Sequence, residues 1–277
     1  MSERVLLAGC GDLGMRVAQR LLARGDEVLA LRRHPPAMDN DGIQWLQADL
    51  TRPDSLRALP GDITQLVYLP TPARRDEAAY RAVFVDGLRH LLDALGTTSL
   101  RRVLLVSSTA VYGDHAGDWV DESTPPAPPG FNGRVLIEAE QSLAAQPVNS
   151  IALRLAGLYG PGRMQLLERL RSGRATAPRA KTHWANRIHV DDAAAAVAHL
   201  LKLSDPLPLY LGADSTPLPL DVLYDHLAQS IGAQAVAAGA PPPGIGSKRL
   251  NNARLRDSGF VLRWPDSRDG YAASIDY

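Results

Sequence analysis

The chain predicts an α/β fold, a doubly wound parallel sheet with a small C-terminal lobe. Three observations predict it. Short apolar runs alternate with helical segments along most of the 277 residues. A glycine-rich turn joins the first apolar run to the first helix. In the last third of the chain, regularity gives way to Pro206, Pro208, Pro217, Pro219 and the run Pro241-Pro242-Pro243.

Val5-Leu6-Leu7-Ala8 reads as a buried strand, being short, continuous and apolar. Gly9-Cys10-Gly11-Asp12-Leu13-Gly14 follows and fits the pattern G-x-G-x-x-G. A helix comes next, with Leu13, Val17, Leu21 and Leu22 on one face, ended by Gly25-Asp26. Val28-Leu29-Ala30-Leu31 is a second strand. Strand, glycine turn, helix and strand in this order form a Rossmann-type nucleotide unit. Gly9 allows the sharp turn, Gly11 lets backbone approach a pyrophosphate, and Gly14 lets the helix pack close to the strand. The pyrophosphate would then meet N–H groups at the positive end of the helix. The competing reading is a glycine turn that only connects two elements.

The end of the second strand sets the expected cofactor. A carboxylate there, about 20 residues past the glycines, would bond the ribose hydroxyl of NAD. Arg32, Arg33 and His34 stand there instead. Guanidinium groups clamp a 2′-phosphate that a carboxylate would repel, so the expected cofactor is NADP(H). The bland alternative is two solvated arginines.

Further elements are predicted in order. Ile43 to Ala48 is a strand leading into Asp49-Leu50-Thr51 and a short helix from about Pro53 to Leu59. Leu66 to Leu69 is a strand. A long helix spans about Asp76 to Leu95, with Leu88, Leu91 and Leu92 apolar. Val103 to Val106 is a strand ending in Ser107-Ser108-Thr109. A proline-dense loop precedes a helix from about Arg134 to Ala145, on which Arg134 and Glu138 are spaced as a surface ion pair. Ile151 to Leu155 is a sixth strand. Ligands of such sheets bind beyond the carboxyl ends of the strands. The expected cofactor contacts are Gly9, Gly11, Asp12, Leu13, Gly14, Arg32, Arg33, Asp49, Leu50, Pro70 and Thr71. Residues 1–155, completed by about 185–212, form the expected nucleotide domain. Residues of about 156–184 and 213–277 form the expected substrate lobe.

Composition narrows the class. With 45% apolar and 22% charged residues, the chain has the make-up of a soluble globular protein. Its formal net charge of zero supplies no basic excess for nucleic acid. A single cysteine, Cys10, fits a reducing cytoplasm. Leu7-Ala8-Gly9-Cys10 mimics a lipoprotein cleavage box, but the apolar run before it is too short for a signal peptide. No run is long enough to cross a membrane. The seven histidines show no metal-ligand spacing, so no metal is expected.

The chain resembles the extended short-chain dehydrogenase/reductases, the family of NAD-dependent epimerases and dehydratases. Ser107-Ser108-Thr109-Ala110-Val111-Tyr112-Gly113 is similar to the family's strand-five signature, which implies a catalytic role for Ser108. Tyr159-Gly160-Pro161-Gly162 resembles its substrate-side loop. Ile188-His189-Val190-Asp191-Asp192 is similar to the segment that returns the chain to the core. The family's Tyr-x-x-x-Lys pair falls on Asn132 and Leu136, as in the atypical subgroup, and no such pair occurs elsewhere in the chain. Asparagine has no titratable proton and leucine no charge, so the usual tyrosine acid, its pKa lowered by lysine, is missing.

Ser108, Tyr112 and Tyr159 are the candidate catalytic groups. Tyr112 and Tyr159 are as readily packing residues, and Ser108 could simply bond backbone. Asp114 and His115 read as a solvated surface pair. Asp191 reads as a helix N-cap, with His189 structural. Lys248, Arg249 and Arg254 could hold an anionic substrate group or form a solvated cluster. The resulting expectation is an NADP(H)-dependent oxidoreductase or epimerase/dehydratase-like enzyme acting on a small substrate, with a nucleotide sugar implied by resemblance alone. An NADP(H)-binding sensor without turnover is the alternative. Neither nucleic acid nor membrane is an expected partner, and a homodimer is implied only by family habit.

Overall fold

A computed structural model describes residues 2–36, 42–96 and 98–275. Five strands come from the first part of the chain: β1 (Arg4–Ala8), β2 (Glu27–Arg32), β3 (Gln44–Gln47), β4 (Gln65–Tyr68) and β5 (Arg102–Ser108). β6 (Asn149–Leu155) and β7 (Leu209–Gly212) complete a seven-stranded sheet in the order β7-β6-β5-β4-β1-β2-β3. The pairs β1–β2, β1–β4, β2–β3 and β4–β5 are all parallel. The chain starts in the middle, winds outward to β3, and restarts beside β1 with β4. The crossing point therefore lies between β1 and β4, the place where such sheets bind ligands.

The predicted strands form because their side chains are buried on both faces. Val5, Leu6, Leu7 and Ala8 are wholly inaccessible, as are Leu29 and Ala30 beside them. Each buried Val or Leu contributes about 1.5–3 kcal/mol. Helix α1 (Asp12–Ala23) lays Leu13, Val17, Ala18 and Leu21 against the sheet. The predicted helix at Pro53 shortens to a single 3-10 turn, Pro53–Leu56.

The predicted long helix is built from three joined pieces. α2 (Glu77–Arg81) is capped by the Asp76 side chain, which accepts from the Ala79 N–H. A π-turn follows over Ala82–Asp86, and α3 (Gly87–Leu95) continues it. The Gly87 N–H donates to Ala82 O, one residue further back than in an α-helix. The Val83 carbonyl instead accepts the Tyr68 hydroxyl at 2.5 Å. A Cβ at position 87 would lie 2.9 Å from that hydroxyl, so glycine makes room for it.

Helix α4 (Phe131–Ala144) begins three residues earlier than predicted. Glu138 does not pair with Arg134 along this helix. It takes a bidentate bond from Arg81, at 2.5 and 2.6 Å, and Arg134 reaches Glu77 at 3.9 Å. The geometry of the Arg81 fork outcompetes the i,i+4 spacing. On the inner side, Glu140 holds the buried Arg154 at 2.6 Å and accepts the Ser107 hydroxyl at 2.5 Å. This network ties α4 to β5 and β6.

By contact the chain divides into two compact units. The first comprises residues 1–111, 130–154 and 194–210, and the second 112–129, 155–193 and 211–277. Segment 112–129 thus clusters with the second unit, although its neighbours in sequence belong to the first. The second unit has its own apolar core, drawn from α5 (Gln165–Arg171), α7 (Leu220–Ser230) and α8 (Ser267–Ile275) and including Leu167, Leu223, Leu227 and Tyr271. Between α5 and α7 in sequence, α6 (Val190–Lys202) starts one residue before Asp191. Asp191 is therefore inside the helix, and the capping acceptor is His189, whose Nδ1 takes the Asp191 N–H at 3.1 Å. Asp192, buried, accepts the N–H groups of Arg263 and Trp264, each at 2.9 Å.

Two stability predictions follow from buried charge. Glu140→Leu leaves the Arg154 cation buried without its carboxylate and is expected to cost about 3–5 kcal/mol in urea unfolding. Adding Arg154→Met should recover part of that loss, and a double variant no more stable than the single would refute the pairing. Asp214 is buried in the second unit, and burial pushes its carboxyl up to about 8. The unfolded carboxyl titrates near 3.9, so between about pH 4 and 8 only the folded state holds the proton. Stability should therefore fall as pH rises through that window, by at most ~1.4 kcal/mol per unit from this group. Asp214→Asn, permanently neutral, should unfold with a smaller difference between pH 5 and pH 8.5 than the parent protein.

Candidate functional site

The first unit carries a cleft of about 520 Å³ at the carboxyl ends of its strands. It begins where β1 ends. Gly9 has φ of +88°, and a Cβ there would lie 2.4 Å from Pro70 Cα in the turn after β4. Only glycine turns the chain sharply here and passes that close. Gly11 is the N-cap of α1 and brings no side chain to the first helical turn. A Cβ at Gly11 would meet nothing within 4 Å, so the space in front of the helix end is open. Gly14 is closed in, by contrast: its Cβ would lie 3.0 Å from Cys10 Sγ and 3.2 Å from Leu69. The three glycines thus serve a turn, an open approach and a close packing contact.

Gly9, Gly11, Arg32, Arg33, Asp49, Leu50, Pro70 and Thr71 all line the cleft. Asp12, Leu13 and Gly14 stand outside its lining; Asp12 pairs with Arg16 one turn on, and Leu13 is buried under α1. Beyond the expected contacts, the lining includes Cys10 of the glycine turn, His34, Thr51, Arg74 and the helical residues Ala79, Ala82 and Val83. Ala79 lies on α2, and Ala82 and Val83 open the π-turn, whose register a continuous helix does not give.

The cleft is basic at one end. Arg32 and Arg33 are exposed, and the Arg32 guanidinium lies 5.9 Å from the centre of the Trp45 ring. Asp49 is the acidic residue of the lining. Burial opposes its charge, but bonds from the Thr51 N–H and hydroxyl, with Arg33 and Arg52 nearby, hold its carboxyl below the usual range. Asp49 is therefore a fixed acceptor. A cradle with no Cβ at Gly11, a helix N-terminus and two exposed arginines at the end of β2 fits a dinucleotide.

The candidate catalytic residues occupy different surroundings. Ser108, half-buried at the end of β5 in the first unit, accepts the Ala110 N–H at 3.1 Å. Its own proton has no acceptor among the described residues. Tyr112 and Tyr159 belong to the second unit and are buried. The Tyr112 hydroxyl donates to Asp121 O at 2.9 Å. Tyr159 stacks on Tyr271 at 4.2 Å and meets His189 edge-on, and its hydroxyl is buried with no hydrogen-bond partner among the described residues. Burial pushes the Tyr159 phenol far above its usual value. Asn132 lies in the first turn of α4 and Leu136 is buried along it.

Asp114 and His115 are not a free surface pair. Asp114 accepts the N–H groups of Ser247 and Ala116, and the His115 N–H donates to Ser247 O. Both fasten the 247 segment. Among the described residues no group of three or more His, Cys, Asp or Glu could hold a metal ion, and no helix is long and apolar enough to cross a membrane.

Known proteins share this architecture. Residues 5–208 match the NAD dependent epimerase/dehydratase family. Protein YeeZ of Escherichia coli K12 is 30% identical over 95% of this chain and 97% of its own length. A structure from Methylobacillus flagellatus assigned to the NAD-dependent epimerases/dehydratases is 41% identical, covers 100% of this chain and 98% of its own, and superposes with a TM-score of 0.85. Thermus thermophilus UDP-glucose 4-epimerase, solved in complex with NAD, superposes at 0.83 with 21% identity, over 99% of this chain and 98% of its own.

The glycine substitutions separate packing from ligand approach. Gly9→Ala should cost about 2 kcal/mol or more, because both its φ and Pro70 oppose a Cβ. Gly11→Ala meets no clash and should cost less, about 0.5–1 kcal/mol for a poorer N-cap residue. Thermal or urea unfolding checks both, and equal losses would contradict this account of the turn. With its sheet order, its glycine turn and these matches, the chain belongs to the NAD dependent epimerase/dehydratase family.

Proposed function

We propose that the protein is an NADP(H)-dependent oxidoreductase or epimerase/dehydratase-like enzyme acting on a small molecule. The observation that carries the cofactor choice is the end of β2, where Arg32 and Arg33 line the cleft in place of a carboxylate. A 2′-phosphate there would accept charge-assisted bonds from either guanidinium. Trp45 supports the Arg32 side chain from one side, which reduces the entropy lost on binding. Gly11 leaves room for the pyrophosphate, and Asp49, kept ionised, is an acceptor for N–H or O–H groups of the nucleotide.

Bound nicotinamide would supply or receive the hydride. The substrate oxygen needs a hydrogen-bond donor, and Ser108 is the residue we assign to it, because its hydroxyl proton is uncommitted. Tyr112 spends its proton on Asp121 O. Tyr159 is assigned to packing, since an enclosed phenol with a strongly raised pKa does not exchange protons near neutral pH. The family's Tyr-x-x-x-Lys positions fall, in our alignment of motifs, on Asn132 and Leu136. Neither can move a proton, so Ser108 polarises the substrate without the usual phenolate.

Calorimetry with NADPH and NADH tests the reading. NADPH should bind more tightly, and Arg32→Asp should weaken it about 10- to 100-fold while sparing NADH, as expected for loss of one charged hydrogen bond. Equal affinity for the two nucleotides would remove the assignment of Arg32. Gly11→Ala, folded normally, should bind neither nucleotide well.

A further inference from the structure

The basic run near the C-terminus contains three cations that the sequence cannot tell apart, and the structure gives each a different fate. All belong to the second unit. Lys248 is buried, its ammonium 3.4 Å from the carbonyl oxygens of Tyr112, Gly113 and Gly246. Arg254 stands 3.6 Å from the carboxylate of Glu122. Neither is presented to a ligand.

Arg249 is different. Its guanidinium carbon lies over two indoles, 5.0 Å from the centre of Trp119 and 4.9 Å from that of Trp184. The short strand Arg249–Leu250 pairs in parallel with Trp119–Val120, which sets Arg249 beside Trp119. The Arg249 Nε donates to Gly117 O at 2.7 Å and fixes the plane of the group. Gly117 has φ of +88°, and a Cβ there would lie 2.9 Å from Trp184 Nε1, so the turn accepts no larger residue without displacing the indole. Among the described residues that Nε bond is the side chain's sole hydrogen bond and no carboxylate pairs with it. Arg249 is half-buried.

A planar cation set over two indoles and bonded through Nε, with its terminal nitrogens unpartnered among the described residues, is preorganised for an oxyanion. Carboxylate and phosphate both match that fork. The two indole faces attract the cation and limit its motion. Among neighbouring acids, Asp114 is committed to Ser247 and Ala116, and Asp118 touches Arg249 through its backbone carbonyl, which accepts the Arg249 N–H at 2.9 Å. We propose that Arg249 is an oxyanion receptor that takes the carboxylate or phosphate of a small anionic substrate. The word substrate rests on the function proposed above, whereas the receptor itself does not.

The test uses the full chain without nucleotide. Inorganic phosphate and malonate are titrated in turn at constant ionic strength, with chloride as the balancing ion. The four tryptophan indole N–H signals are followed in proton–nitrogen spectra, with Trp119→Phe and Trp184→Phe giving the assignments. One or both anions should shift the Trp119 and Trp184 signals to saturation and leave Trp45 and Trp264 in place. The tighter anion names the ligand group, malonate pointing to a carboxylate and phosphate to a phosphate ester. Arg249→Lys should weaken binding about tenfold or more, since an ammonium has no fork. Arg249→Gln should abolish it with all four signals still dispersed. No saturable shift in the unaltered protein, or the same shift in Arg249→Gln, would overturn the proposal and leave Arg249 as a clamp on two tryptophans. Either result is independent of NADPH binding, so failure here is distinguishable from failure of the cofactor assignment.

Discussion

The turn at Gly9 passes so close to Pro70 that no Cβ can stand between them, and much of the first unit is arranged around that contact. β1 and β4 are neighbours in the sheet, so the loops leaving their ends must cross within one strand spacing. A positive φ at Gly9 sends the chain out of the strand at once. Gly11 can then open α1 beside the strand, and Gly14 can press that helix onto Cys10 and Leu69. The cleft exists because the loops part beyond this crossing. Its floor is therefore rigid backbone, and only its basic end depends on exposed side chains.

The same contrast separates what could be read in the sequence from what could not. The strands were legible because buried runs such as Val5 to Ala8 admit few other interpretations. The glycine turn was legible because each glycine answers a distinct steric need. Helix pieces were harder. Nothing in the residues from Ala82 to Asp86 announces a π-turn, since its cause, the Tyr68 hydroxyl on Val83 O, comes from a strand far away in sequence. Charge pairing failed for a similar reason. Glu138 has Arg134 at helical spacing, yet Arg81 offers a two-point fork from another helix.

The second unit shows how little a basic cluster reveals by itself. Lys248, Arg249 and Arg254 lie within seven positions of one another. One is sunk among backbone carbonyls, one faces a carboxylate, and one is set over two indoles. What distinguishes them is the path of segment 112–129, which supplies Tyr112, Gly113, Glu122 and Trp119 to all three. That segment is irregular and rich in proline and glycine, so its route is set by tertiary contacts such as the bonds that Asp114 accepts from the Ser247 N–H and Glu122 from the Leu211 N–H. Local propensity carries no information about it.

The π-turn has a consequence for how this chain tolerates change. Its wider loop holds about one residue more than an α-helical turn, and each residue advances a helix by about 100°. Leu88, Leu91 and Leu92 therefore face the core because the extra residue is present upstream. Removing one position between Ala82 and Asp86 would let an ordinary helix form locally. The same deletion would swing those leucines a quarter-turn away from the sheet and take Ala82 and Val83 off the cleft wall. Helical regularity and a correctly aimed helix are thus incompatible in this stretch, and the chain keeps the aim.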